Sequence, residues 1–356
     1  MAYKYSLDKS SKKFRCPQCG HKSLVRYMDT DKNYLPDHVG RCDRENRCAY
    51  HCPPKQYFAE VNPQQNTYTG TTQDEDTREP DFIPLQYVTP TLTGVEHTSF
   101  VQYIGTLFNP LVALKTAEAY CIGRSKLAGG LACIFWQADE RGFVRSGKIV
   151  AYNATTGKRI KEAEALQHNT GLRNHGGQYM PCLSVQPAVK KLMGNSNLNL
   201  QQIFFGQHLL SPHFGLKAVN VVESEKTAVI CSILMPHYTW LATGGANGCK
   251  WRQRSVYSAL AGRKVTFYPD YGYYNHAKKI TCYTEWCNRV NTIRRSIPGQ
   301  FTVSNMVEHR LRHQPRNDQD LADILFTRCP VTGKALNANG TPIADELDEK
   351  DYGWEL

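Results

Sequence analysis

Two sets of side chains in this chain have the type and spacing to do chemistry. In the first, Cys16-Pro17-Gln18-Cys19-Gly20 sets two thiols two residues apart ahead of a glycine that lets backbone amides turn toward the sulfurs. Cys42, Cys48, His51 and Cys52 follow as a second half at the distance usual in a zinc ribbon. Tetrahedral zinc takes four ligands, and Cys16, Cys19, Cys42 and Cys48 are expected to supply them, with His51 the substitute for Cys48. In the second set, Glu223 follows the apolar run Val219 to Val222, and Asp270 follows Val265 to Tyr268. Each acid stands where a strand would end.

The elements that position these groups follow from the pattern around them. Ser23 to Val39 reads as a hairpin between the two cysteine pairs. Ala218 to Val222 reads as a strand, with Lys226 in the first turn of the helix after it and Ala228, Val229, Ile230 and Ile233 on its core side. Tyr238 to Ala242 is a second strand that runs into the glycine-rich turn Gly244-Gly245-Ala246-Asn247-Gly248, and Val265 to Tyr268 is a third. Strand, helix, strand and strand in this order predict a parallel α/β sheet, whose ligands sit outside the carboxyl ends of the strands. Both acids therefore converge on one edge.

Upstream, Ser99 to Tyr120 is expected to be helical, interrupted at Asn109-Pro110, and strands are expected over Leu131–Trp136 and Val144–Tyr152. The second of these alternates basic and apolar residues, so one face should pack while Arg145 and Lys148, with Lys158 and Arg159 after the next turn, present cations. Downstream, Tyr271 to Arg295 reads as helical and basic. Asp318, Asp320 and Asp323 open a short helix, either as a further source of carboxylate near the sheet edge or as ordinary N-terminal caps.

With 356 residues, 41% of them hydrophobic, the chain can bury a core and hold two or three domains. No apolar run is long enough to span a bilayer and the first residues are polar, so a cytoplasmic protein without a membrane partner is expected. The net charge of +11 is unevenly spread: residues 1–58 and 99–338 are basic, whereas 59–98 and 339–356 are acidic. A basic body of this size is the footprint of a protein that works on a polyanion. Thirteen cysteines, odd in number with five in the first 52 residues, fit a metal site in a reducing compartment better than a disulfide framework.

At Glu223-Ser224-Glu225-Lys226-Thr227-Ala228 and at Asp270 the chain resembles the Toprim domain of bacterial replicative primases, topoisomerases and related nucleases. That family sets a glutamate after its first strand and an Asp-x-Asp pair after its third; here Gly272 stands at the second aspartate. The resemblance implies Mg²⁺ or Mn²⁺ at Glu223 and Asp270, nucleotidyl transfer there, and a phosphate contact from Lys226. A ribbon ahead of Toprim is also the order in bacterial primases, and the arrangement resembles uncharacterised ribbon-plus-Toprim proteins on mobile elements of the Bacteroidetes.

The expected plan is an α/β protein, α+β overall: a zinc ribbon over 1–58, an acidic linker over 59–98, a basic subdomain over 99–215, a Toprim-like domain over 216–330 and an acidic tail over 331–356. Single-stranded DNA would be gripped by Lys22 and Arg26 on the ribbon and by Arg145, Lys148, Lys158 and Arg159 on the subdomain. Nucleoside triphosphates, and a separate helicase or relaxase, are the other partners implied. The alternatives are a non-catalytic DNA-binding accessory, in which Gly272 marks a lost metal site, and a Toprim nuclease.

Overall fold

The computed structural model describes residues 5–8, 10–44, 48, 50–54, 57–58, 78–168, 171–174, 176–245 and 248–345. The chain divides into two compact units, 1–77 with 275–280, and 78–274 with 281–356.

The first unit is built on strands β1 (Tyr5–Leu7), β2 (Phe14–Arg15), β3 (Lys22–Asp29) and β4 (Gly40–Cys42), with β3 pairing antiparallel to each of the others. The expected hairpin is present, and its closing strand begins at Gly40 because Gly40 exchanges both backbone hydrogen bonds with Cys52. So short an assembly has little apolar interior: Leu24 with the cysteines on one side, Leu35, Val39 and Cys52 on the other. Most of the expected linker, 59–77, lies outside the described residues.

The second unit opens at Arg78, so the last part of the expected linker is built into the fold: Ile83 bridges Val144 and is buried. Helices α1 (Ser99–Leu107) and α2 (Pro110–Ala119) form where one broken helix is predicted. Pro110 is suited to a first helical position, and Asn109 accepts from Val112 N at 2.8 Å as its N-cap. Strands β5 (Ile122–Arg124), β6 (Cys133–Ala138), β7 (Val144–Val150) and β8 (Leu183–Ser184) make an antiparallel sheet in the order β8-β7-β6-β5.

The parallel sheet follows: β9 (Val219–Val222), α3 (Glu225–Leu234), β10 (Thr239–Ala242), β11 (Lys264–Phe267), α4 (Cys282–Ser296) and β12 (Gln300–Val303). The strand order is β10-β9-β11-β12, with Val221 paired to Leu241 on one side and Phe267 on the other. From β9 the chain crosses to one side and from β11 to the other, so the order reverses between β9 and β11. That switch point is where parallel sheets open a crevice at their carboxyl ends.

The two sheets are not separate bodies. Tyr120 and Phe135, from the stretch before 215, and Val222, Ala228 and Trp240, from the stretch after it, lie in one core. Tyr120 Oη donates to Trp240 O at 3.0 Å. The expected tail also joins the fold as far as 345: Ala335 pairs with Arg328 and is fully buried. Residues 346–356 lie outside the described residues. Of the expected helix over Tyr271–Arg295 only α4 forms, because Tyr271 is bonded to Gln319 and Thr281 caps the helix by accepting from Thr284 N at 3.1 Å. No helix among the described residues is long and apolar enough to cross a membrane.

Candidate functional site

The four thiols of Cys16, Cys19, Cys42 and Cys48 come together with all their sulfurs within 4.8 Å of one another. Cys16 and Cys48 stand 3.6 Å apart, Cys19 and Cys42 4.0 Å. A tetrahedron with metal–sulfur bonds of about 2.3 Å has edges of about 3.8 Å, so this spacing fits zinc. Backbone hydrogen bonding from His21 lowers the Cys19 thiol to about 6, the state a metal ligand needs, while burial pushes Cys48 up to about 12. His51 is not in the cluster; its Nε2 lies 2.9 Å from Tyr27 Oη and its ring stacks on that tyrosine.

The acid edge is assembled from three segments. Glu223 leaves β9 with its backbone carbonyl held by Gly244 N and Gly245 N at 2.9 and 3.0 Å. These two glycines have φ of 81° and 126°, a turn that other residues rarely adopt. Asp270 leaves β11 across the switch point. Its carboxyl is held well above the ordinary range by burial first and then by the charges of Glu223, Asp320, Asp318 and Asp323.

The third segment reaches the edge through Tyr271, which donates from its backbone to Gln319 O at 2.7 Å and accepts from Asp318 N at 3.2 Å. Arg316, paired with Glu308, lies 4.2 Å over the Tyr271 ring and fastens the same loop. Asp318 consequently arrives at Gly272: a Cβ on that glycine would meet Asp318 Oδ1 at 2.0 Å. Burial pushes the thiol of Cys282, the first residue of α4, up to about 12, and the charges of Glu223, Asp270 and Asp318 add to that shift. The partial positive charge of that helix end favours them.

The other two aspartates behave as caps. Asp320 N donates to Asp323 Oδ2 at 2.9 Å and Asp323 N to Asp320 Oδ1 at 3.2 Å, ahead of α5 (Ala322–Leu325). Asp320 is buried and also accepts from Thr227 Oγ1 at 2.5 Å. Burial first and then the charge of Asp323 raise the Asp320 carboxyl above its ordinary range, against the opposing charge of Lys226. Among the described residues only the four cysteines bring three or more metal donors within 4.8 Å of one another.

The cations expected to grip a polyanion are placed unequally. Every residue of β7 is buried. Arg145 donates to Asp139 Oδ2 from Nε at 2.9 Å, and Lys148 Nζ lies 2.8 Å from both Glu225 oxygens and 2.9 Å from Gly244 O. These two charges hold the fold together, and the reading of β7 as a cationic face gives way to that. Arg26 is likewise engaged, with Asp37 at 2.7 Å and with the rings of Phe14 and Tyr34. Lys22, Lys158 and Arg159 are exposed. The sequence reading missed Asp318 as the one aspartate of its group that reaches Gly272, a pairing that 46 positions of separation hide.

Residues 3–63 match the model of a zinc beta-ribbon finger, and residues 98–271 that of a domain of unknown function (DUF6371). The second match contains Glu223 and Asp270 and stops short of Asp318. No curated protein matches the chain. Among solved structures, the primase fragment of the bacteriophage T7 primase-helicase protein aligns over 85% of this chain and 98% of that one, at 10% identity and a TM-score of 0.35. That likeness is too slight to define a shared fold.

Proposed function

We propose that this chain is a Toprim-type, primase-like nucleic-acid protein in which Glu223, Asp270 and Asp318 form the divalent-metal edge. The observation that carries the reading is Asp318 Oδ1 in the space of a side chain at residue 272, which returns the second carboxylate that Gly272 removes. The switch point between β9 and β11 supports it, since ligands of parallel sheets bind there. Mg²⁺ takes one or two carboxylates directly and keeps several waters, so three acids that do not close within 4.8 Å of one another would hold it partly through water. Bound Mg²⁺ or Mn²⁺ would neutralise phosphate charge during nucleotidyl transfer.

The chain's own groups have separate tasks in this reading. Glu223 and Asp270 orient the cation from the two strand ends, Asp318 completes the donor set from its loop, and Lys226 contacts phosphate beside Asp320. Zn²⁺ held by Cys16, Cys19, Cys42 and Cys48 fixes the ribbon, whose Lys22 takes the backbone of single-stranded DNA, while Lys158 and Arg159 take it on the second unit. Replication or mobilisation of a bacterial element, with a separate helicase or relaxase, is the setting this implies.

The test is primer synthesis on single-stranded DNA with labelled nucleotides and Mg²⁺ or Mn²⁺. Wild type should make product, and Glu223→Gln, Asp270→Asn and Asp318→Asn should each lose it while keeping fold and zinc. Absence of product with every template and metal, beside salt-sensitive DNA binding that all three variants retain, would move the assignment to a DNA-binding accessory. Cleavage of plasmid without nucleotides would move it to a nuclease.

A further inference from the structure

One turn beyond the start of α4, the helix forms a wall of an open cavity of about 250 Å³. Arg252 and Arg289 both donate to the same oxygen, Glu285 Oε1, at 2.9 and 3.0 Å. Arg252 Nη2 also donates to Tyr274 Oη at 2.6 Å. Arg289 is buried, its guanidinium 5.1 Å from the Trp251 ring and 4.9 Å from that of Tyr274. Among the described residues of the cavity wall, two guanidiniums share this one carboxylate. Asn288 and Thr292, exposed on successive turns, add neutral polar groups, and Tyr257 gives the cavity an apolar side.

We propose that this cavity binds a phosphate group, carried by a free nucleotide or by a nucleic-acid strand. A metal ion is disfavoured by the two guanidiniums, and a neutral apolar ligand by the charged rim. At the exposure of Arg252 an ion pair with Glu285 stabilises little, so the fold does not depend on this arginine. The Arg252 side chain is 52% exposed and lines the cavity, and its hydrogen bonds to Tyr274 and Glu285 both leave from Nη2. Lys250 and Arg254, two positions to either side, are exposed as well and add to the attraction for a polyanion.

The cavity is also close to the acid edge. Cys282 Sγ, on the first residue of α4, lies 3.5 Å from the Cβ position of Gly272, and Glu285 to Thr292 follow on the same helix. At about 1.5 Å per residue they lie roughly 5 to 15 Å further along its axis. A phosphate held here would sit beside the groups proposed for nucleotidyl transfer. The choice of nucleotide or nucleic acid as its carrier rests on that reading, whereas the Arg252 site itself does not require the metal edge to work.

The experiment uses the full chain in buffer without added divalent cation, titrated separately with ATP and with a twelve-residue oligothymidylate. Binding is followed by calorimetry and by tryptophan fluorescence, since Trp251 packs under Arg289. Arg252→Ala should weaken one or both probes at least tenfold with the thermal midpoint unchanged, and Arg252→Lys should recover part of the loss. Glu285→Gln, which raises the charge of the cavity, should tighten binding severalfold, an outcome a purely structural ion pair would not give. Loss of ATP alone assigns the site to free nucleotide, loss of the oligonucleotide alone to the strand, and loss of both to the shared phosphate. The same dependence on Arg252 should persist in Asp270→Asn, whether or not primer synthesis is ever seen. Equal binding by wild type and Arg252→Ala, or no binding of either probe by wild type, would overturn the proposal.

Discussion

Asp318 fills the space that a side chain at Gly272 would take, with Oδ1 2.0 Å from that residue's Cβ position. The two residues should therefore be coupled. Gly272→Ala forces the Asp318 loop outward and should destabilise by about 1–3 kcal/mol, the usual range for overpacking. Asp318→Gly should cost little, because Asp318 has φ of 55°, a conformation glycine adopts freely. In the double variant the clash is gone, and the coupling free energy should exceed about 1 kcal/mol in a denaturation cycle. Additive effects would mean that the loop does not pack on Gly272. The swap Gly272→Asp with Asp318→Gly should keep whatever divalent-cation binding the wild type has.

Asp270 makes a prediction with a definite sign. Its carboxyl is raised well above the ordinary range, by burial and then by Glu223, Asp320, Asp318 and Asp323, so the folded state holds the proton more tightly than the unfolded chain does. The stability from that proton is complete below about pH 4 and is lost as pH rises through the folded-state value. Above about pH 4 the buried acid costs the fold stability that a neutral side chain in its place would not. Asp270→Asn should therefore raise the thermal midpoint at pH 7.5, by a few degrees if the cost is about 1 kcal/mol, and the difference should close toward pH 4. Mg²⁺ should raise the wild-type midpoint and move that of Asp270→Asn less. A variant less stable than wild type at neutral pH would contradict the crowding of charge at this edge.

Lys148 and Glu225 join the antiparallel and parallel sheets through a buried ion pair, with both carboxylate oxygens 2.8 Å from Nζ. Removing one partner leaves the other charge stranded, which typically costs about 3–5 kcal/mol. Lys148→Ala should fall in that range by urea denaturation, and Lys148→Met with Glu225→Leu should recover much of the loss. If Lys148 instead served a polyanion at the surface, Lys148→Ala would weaken DNA binding and leave the denaturation midpoint in place.

These relationships explain which parts of the molecule could be read in advance. The ribbon and the strands that end in Glu223 and Asp270 are written in local spacing, so cysteine pairs and short apolar runs revealed them. Arg145 and Lys148 alternate with apolar residues as a half-exposed strand would, yet all of β7 is covered. Asp139 meets Arg145 across the turn between β6 and β7, whereas Glu225 reaches Lys148 through tertiary packing alone. Asp318 could be named as a candidate but not separated from Asp320 and Asp323. The separation depends on which backbone atoms Tyr271 meets, and that pairing leaves no periodic trace. Arg289 stands one helical turn from Glu285, a local pairing, whereas only the fold brings Arg252 to the same carboxylate.

The ribbon offers the last test, because its two small apolar clusters give it little else to stand on. Small units of this size usually need a staple, and structural zinc supplies folding free energy directly. One zinc per chain should be released by a thiol-modifying reagent and detected with a metallochromic dye. Cys16→Ser, Cys19→Ser, Cys42→Ser and Cys48→Ser should each abolish it, whereas His51→Ala and Cys52→Ser should keep it, since His51 is turned to Tyr27 and Cys52 packs with Leu35 and Val39. Chelation should melt the first unit and leave the second, with its own core, cooperatively folded in calorimetry. Retention of zinc by Cys48→Ser together with its loss in His51→Ala would exchange the fourth ligand and require the chain around Tyr50 to turn over.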